Sequence, residues 1–305
     1  MCVAGHGQAY HFHCSQNDYR QERKPPKNSR TRRLIVETGK IQAHNQRPAQ
    51  VWGSAGDAYN EISHQIASAL DHCARRIAPQ PGERVLDLAT GTGWTSRLLA
   101  RYGARVTGAD ISADLIAAAK ARAQAERLDI DYEIGDAEKL PFADGSFDAV
   151  VSTFGVMFAS HPEAAAGEMA RVCRRGGRIG LATWPAKGGV FEMFGVMRAY
   201  MPPPPTPAPP SPFAWGDPAH VRELLGRDFD LEFEEAVTVY YDKNGAAAWE
   251  AFSKGYGPTK ALAASLDESR RAGLARDFAA FHEKYATALG VAVPRDYLLT
   301  IGTRH

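Results

Sequence analysis

The chain has 305 residues, 44% of them hydrophobic and 23% charged, with a formal net charge of +1. That balance belongs to an ordinary globular protein large enough for a substantial core, as one domain or one domain with a cap. It excludes a membrane span, because no apolar run approaches the roughly 20 residues needed to cross a bilayer. The four cysteines (Cys2, Cys14, Cys73, Cys173) are scattered and form no CxxC pair. A disulfide framework or zinc ribbon is therefore not expected, and a reducing compartment suits them. The N-terminus lacks the apolar stretch of a signal peptide, so a cytoplasmic location is expected.

The charge is unevenly placed. Residues 1–48 hold nine Lys/Arg and three Asp/Glu, a surplus of +6, which leaves the remainder mildly acidic. An acidic body offers no electrostatic footprint for nucleic acid. Residues 1–48 are polar and basic, with runs such as Arg30-Thr31-Arg32-Arg33, and cannot bury enough apolar area to offset their ordering entropy. They are predicted to be a disordered arm or leader sequence, and only on charge patterning a tether for nucleic acid or an anionic membrane. His6, His11, His13, Cys2 and Cys14 fall there without ligand pairs at a known spacing, so no metal site is read.

From residue 49 the pattern alternates strand and helix. An amphipathic helix is predicted over 58–78, ended by Pro79-Gln80-Pro81-Gly82. Strands follow over 84–89, 105–110, 131–135, 147–154 and 178–184, with helices over 94–102, 113–127 and 162–174 between them. The last of these helices starts with proline and is followed by Gly176-Gly177. Such alternation indicates an α/β fold, a parallel sheet covered on both faces. Eight of the eleven residues from Pro202 to Pro212 are proline, read as a stiff extended crossing between substructures. A helix over 218–225, a strand over 231–241, helical material over 246–289 and a last strand near 297–301 complete the series. Residues 49–305 are thus expected to form the catalytic domain, with 186–228 and 246–290 as a mostly helical cap.

Four motifs carry the chemistry. In Val85-Leu86-Asp87-Leu88-Ala89-Thr90-Gly91-Thr92-Gly93-Trp94, a strand runs through an acidic residue into a tight glycine turn and a helix. The glycines let backbone approach a ligand closely and aim helix N–H groups at it. A GxG turn is also found in dinucleotide dehydrogenases, but Asp87 before the glycines would repel a pyrophosphate and suits a ligand with ammonium and sulfonium centres. The third glycine of the dehydrogenase fingerprint is replaced by Ser96. Asp110, 19 residues after Gly91, ends the second strand where a carboxylate can accept ribose hydroxyl hydrogens. The third motif, Gly135-Asp136-Ala137-Glu138, puts a carboxylate where an adenine amino group would donate to it. The fourth is Phe147-Asp148-Ala149-Val150-Val151-Ser152-Thr153-Phe154, followed by Arg174-Arg175-Gly176-Gly177-Arg178-Ile179.

Together these motifs resemble the class I S-adenosylmethionine-dependent methyltransferases, type 11 domain, in the branch of the ubiquinone/menaquinone biosynthesis C-methyltransferases. The resemblance runs from about Val85 to Trp184. It implies a doubly wound, seven-stranded Rossmann-like sheet of order 3-2-1-4-5-7-6 with the last strand antiparallel. It also implies S-adenosyl-L-methionine as cofactor, with S-adenosyl-L-homocysteine as product. By resemblance, Tyr59 approaches the methionine carboxylate, while Asp87, Ala89, Gly91 and Gly93 line the methionine end. Asp110 and Ile111 serve the ribose, Asp136 and Ala137 the adenine, and Thr153 lies near the reacting methyl. Ala89 and Thr90 depart from the Gly-x of many members, which puts the tightness of the turn in question.

Methyl transfer from a sulfonium is an in-line displacement, and a base is required only if the acceptor must lose a proton. Candidate bases are His161, Tyr256 and His282, each with a structural reading beside the catalytic one. Trp184, Phe191, Met193, Phe194 and Trp215 suit either an apolar acceptor pocket or core packing. The expected partner is a small-molecule acceptor, with the chain a monomer or homodimer. The alternatives are an RNA methyltransferase using the basic arm, although Ser152-Thr153-Phe154-Gly155 stands where base-modifying enzymes carry an Asn-Pro-Pro-Tyr-type motif, and a non-catalytic cofactor-binding protein.

Overall fold

Short apolar runs buried on both sides build a central sheet. In the computed structural model, which describes residues 41–305, five strands pair in parallel: β1 (Arg84–Leu88), β2 (Arg105–Asp110), β3 (Asp131–Ile134), β4 (Phe147–Thr153) and β5 (Cys173–Thr183). Residues such as Val85, Leu86, Ala149, Val150 and Val151 are fully buried in succession, which is the signature of strands covered on both faces. β8 (Gly290–Arg304) then runs antiparallel between β5 and β6 (Phe229–Asp242), and the two-residue β7 (Ala286–Thr287) pairs onto β8. The order β3-β2-β1-β4-β5-β8-β6 is the expected one once β7 is set aside. All described residues belong to one unit, Leu34–His305, and what was expected of residues 1–40 lies outside the described residues.

The helices are α1 (Gln46–Gly53), α2 (Tyr59–His64), α3 (Ala67–Ile77), α4 (Trp94–Arg101), α5 (Ala113–Ala125), α6 (Pro162–Val172), α7 (Gly188–Arg198), α8 (Pro218–Leu225), α9 (Gly245–Gly255), α10 (Gly257–Ser265) and α11 (Glu268–Glu283). Several differ from expectation. Residues 43–53, partly assigned to the arm, are folded as a 3-10 turn and α1. The helix expected over 58–78 breaks at Gln65–Ile66, which lets α2 pack on α9 while α3 packs on β4 and β5. The material over 246–289 is three helices, and Pro258 in the first turn of α10 enforces the break after Tyr256. β5 starts earlier than 178 through an irregularity in its pairing with β4 that takes in Gly176-Gly177. β8 is far longer than 297–301, because β6 pairs with it almost throughout. The 186–228 segment divides: α7 joins α11 and β8, whereas α8 packs on α6 and β6 as part of the layer covering the sheet.

The site is set where the strand order reverses. β1 pairs with β2 as far as Leu88 but with β4 only as far as Asp87. At the parting point the Ser152 hydroxyl donates to the Leu88 carbonyl at 2.8 Å and accepts from the Val156 amide at 3.0 Å. A side chain thus holds two strands together where the ladder stops, and a crevice opens at their carboxyl ends. Ser152 is fully buried, so Ser152→Ala strands a carbonyl and an amide without water. The expected loss is about 1–3 kcal/mol, read from the urea midpoint at unchanged m-value.

Candidate active site

The crevice is a cleft of about 710 Å³ that opens to solvent and takes its walls from the ends of β1, β2, β3 and β4. Asp110 is its buried anion. The Gly91 amide donates to one carboxylate oxygen and the Ser112 amide to the other, both at 2.9 Å, so the turn after β1 and the start of α5 hang on one side chain. Burial pushes this carboxyl up to about 6, against the pull of the Ser112 and Gly91 amides. Ile111, Gly91, Ala89, Tyr59, Asp136 and Ala137 line the cleft beside Asp110, as the sequence placed them.

Ala89 keeps the left-handed conformation (φ 56°) that glycine would adopt freely. Its methyl has room because residue 155 is glycine, where an added Cβ would lie 2.4 Å from that of Ala89. The departure at 89 is accommodated across the cleft, and the turn keeps its shape.

Three expected lining residues stand behind the wall instead. Asp87 is buried beneath the turn, where Thr90 and Ser96 hydroxyls donate to its Oδ2 at 2.6 Å each. Its Oδ1 has no hydrogen-bond partner among the described residues, and burial pushes the carboxyl up to about 6 against the pull of Ser96 and Thr90. Ser96, the residue that broke the dehydrogenase pattern, thus braces the turn. Gly93 (φ 76°) starts α4 against the Tyr132 hydroxyl, away from the cleft. Thr153 shares a 2.8 Å hydrogen bond with Thr95 and leaves the lining to Phe154, Gly155 and Val156.

Residues 42–45 form a strap over the far end. Asp136 accepts from Asn45 Nδ2 at 3.1 and 3.0 Å, from the Gln42 amide at 3.1 Å and from the Glu138 amide at 3.0 Å. These contacts take up the four lone-pair directions of a carboxylate. In this arrangement the Asp136 side chain fastens the strap. Ser160 donates to Asn45 Oδ1 at 2.8 Å, locking the strap on its other side. Asn45, Pro48, Glu138, Phe154 and Phe158 are lining residues that sequence reasoning missed. Of these, Phe154-Gly155 carried a signal, since it follows the fourth strand directly.

None of the three predicted bases reaches the cleft lining. His161 precedes α6 and bonds Glu138 at 2.9 Å, at the strap end of the cleft. Tyr256 is buried among Trp52, Tyr59, Phe194 and Phe252, and burial, then Tyr59, drives its hydroxyl well above the ordinary range, the wrong direction for a base. His282 is fully buried in α11 with Nδ1 2.8 Å from the Phe278 carbonyl, and burial lowers it to about 4. The apolar candidates divide likewise: Trp184 stacks on Phe154 at 3.7 Å and Phe194 packs near Phe158, whereas Trp215 is core.

The fit of the donor implied by the motifs is tested by this donor set. A buried carboxylate at the tip of β2, backbone amides in a glycine turn, and an apolar floor of Ile111 and Leu115 suit a nucleoside. Residues 86–181 match a family model described as a methyltransferase domain. An uncharacterized protein of Mycobacterium tuberculosis is 39% identical over 202 residues, 61% of this chain and 72% of that protein. The chain belongs to the class I S-adenosylmethionine-dependent methyltransferases. A demethylmenaquinone methyltransferase of Beutenbergia cavernae is 43% identical over 129 residues, 41% of this chain and 52% of that enzyme. Among solved structures, the YcgJ protein from Bacillus subtilis superposes with a TM-score of 0.54 at 18% identity, over 78% of this chain and 98% of that one. Phosphoethanolamine N-methyltransferase 2 of Haemonchus contortus, in complex with S-adenosyl-L-methionine, does so with 0.53 at 17% identity, over 87% of this chain and 60% of that one. At such identities these structures establish the shared fold.

The methyltransferase's strap rests on Asn45. In Asn45→Ala, Asp136 loses two contacts and stays buried, a cost of about 1–3 kcal/mol. Hydrogen exchange of residues 42–53 is expected to speed up about tenfold or more, with exchange in β1 and β4 unchanged.

Proposed function

We propose that this methyltransferase acts on a small molecule, and that nucleic acid is not its acceptor. The observation that carries the reading is the roof over the cleft. A Cβ on Gly257 would lie 2.3 Å from the Val51 carbonyl and one on Gly255 2.9 Å from that of Ala58, so the cap helices meet the N-terminal helices backbone to backbone. Beneath this contact Trp52 packs on Tyr59, Phe158 and Tyr256, with centroids 6.2, 4.8 and 5.5 Å away. A polymer strand needs an open groove, whereas an aromatic-walled chamber suits a compact, partly apolar acceptor. Residues 49–305 act as the catalytic domain, with α9 to α11 and α7 as the cap.

In this reading Asp110 would accept from the ribose hydroxyls, Ile111, Leu115 and Ala137 would sandwich the base, and the Gly91 turn with Tyr59 would hold the methionine end. S-adenosylmethionine supplies a methyl group on a leaving group that is already activated, so the protein's task is to hold the acceptor in line and exclude water. With His161, Tyr256 and His282 all away from the cleft lining, positioning rather than proton abstraction by these residues is the mechanism that fits.

Titration calorimetry with S-adenosylhomocysteine tests the donor site. Asp110→Ala should weaken binding at least tenfold. Because the wild-type carboxyl ionises near 6 and the ionised form is the hydroxyl acceptor, affinity should fall about tenfold from pH 7 to pH 5. A flat pH profile with an unaffected variant would remove Asp110 from the site. For the acceptor, transfer of labelled methyl should be seen within a panel of phenols, quinols and aromatic acids. Quinols are included for the Beutenbergia relative. Methylation of transfer RNA with no turnover of any small molecule would overturn the proposal.

A further inference from the structure

At the strap end of the cleft, where Glu138 forms part of the lining, three donor atoms from distant parts of the chain converge. His44 Nε2 lies 2.7 Å from Glu138 Oε2, His161 Nδ1 lies 2.9 Å from the same oxygen, and the two nitrogens are 3.1 Å apart. Hydrogen bonding alone leaves this triangle crowded. A carboxylate brings no hydrogen, and each ring nitrogen brings at most one. If both nitrogens are protonated, Glu138 Oε2 accepts from each, but the two N–H groups then converge on it from nitrogens only 3.1 Å apart. If only one is protonated, the other turns a lone pair toward the carboxylate.

A cation removes the conflict, because all three lone pairs can point at it. Imidazole and carboxylate ligands bind divalent transition-metal ions such as zinc at about 2.0–2.2 Å, and ligand atoms are then about 3.4 Å apart at the tetrahedral angle and about 3 Å apart at right angles in an octahedral shell. The observed edges of 2.7, 2.9 and 3.1 Å are close to the right-angle spacing. We propose that His44, Glu138 and His161 form a binding site for a divalent transition-metal ion, two imidazoles and one carboxylate on one face, with water completing the shell.

The surroundings suit such a site. The Glu138 side chain is only 1% exposed, whereas those of His44 and His161 are 38% and 60% exposed, so an ion has an entry path and room for water. The His161 amide donates to Glu138 Oε1 at 3.0 Å, which fixes the carboxylate with Oε2 toward the histidines. The ligands come from the strap, the segment after β3 and the start of α6. An ion there would pin the strap over Asp136 and make closure of that end of the cleft metal-dependent.

The test uses the full chain, stripped with a chelator and then titrated with zinc chloride by calorimetry and with cobalt chloride by visible absorption. The expected result is one zinc per chain in the micromolar range or tighter, a rise in melting temperature on adding zinc, and a cobalt spectrum with imidazole character. His44→Ala and His161→Ala should each weaken zinc at least tenfold and abolish the thermal shift, while circular dichroism stays native. Zinc binding of undiminished affinity in the double variant would place the ion on other ligands, the N-terminal histidines among them, and overturn the site. So would failure of the stripped wild type to bind either ion.

Discussion

One buried carboxylate organises this cleft. Asp110 sits at the tip of β2 and accepts from the amides of Gly91 and Ser112, drawing the turn after β1 toward the turn after β2. Removing it takes away the one side chain that ties the glycine turn to the start of α5. The arrangement has a cost in the ligand-free protein. Asp110 and Asp87 both have carboxyls raised to about 6, and keeping either ionised at neutral pH costs on the order of 3 kcal/mol. The sign follows from linkage: between the ordinary carboxylate range and about 6 the folded state binds more protons than the unfolded one, so these two groups lower stability as pH rises through that window. A carboxyl perturbed in this way at the wall of a cleft, as Asp110 is, marks a candidate functional group.

Much of this was legible in the sequence because it depends on local rules. Apolar runs of five or six residues between helical stretches could only be a parallel sheet, and the motifs fell at strand tips because strands end where their apolar runs end. Asp110 and Gly91, which the motif reading singled out, line the cleft, and so do Tyr59, Ala89, Ile111 and Ala137, which came from the family resemblance. What escaped was non-local. Asp87 was read as a ligand-facing carboxylate, yet Thr90 and Ser96 fold over it and draw it beneath the turn. Residues 42–48 have the polar composition of an arm, and their partners Asp136, Glu138 and Ser160 lie more than 90 residues further along the chain. His44 and Glu138 are 94 residues apart, so no ligand spacing announced their meeting.

The cap shows the same division. Its helices could be expected from periodicity, but not which of its polar residues face the cleft. Tyr256 and His282 went to the interior, where burial pushes the phenol up and the imidazole down, leaving both neutral and neither a base at physiological pH. The aromatic residues that do wall the cleft, Trp52, Tyr59, Phe154 and Phe158, come from the N-terminal helices and the segment after β4. The cleft is thus walled from two sources, the tips of the strands and the helices laid over them.

The central claim is that the nucleoside of the donor is held at the tip of β2. A crystal structure of the chain with S-adenosylhomocysteine tests it most directly. The account requires both ribose hydroxyls within hydrogen-bond distance of the Asp110 carboxylate, with the Gly91 and Ser112 amides still bonded to it. Density for the nucleoside elsewhere, or an Asp110 carboxylate that makes no contact with the ribose, would contradict it.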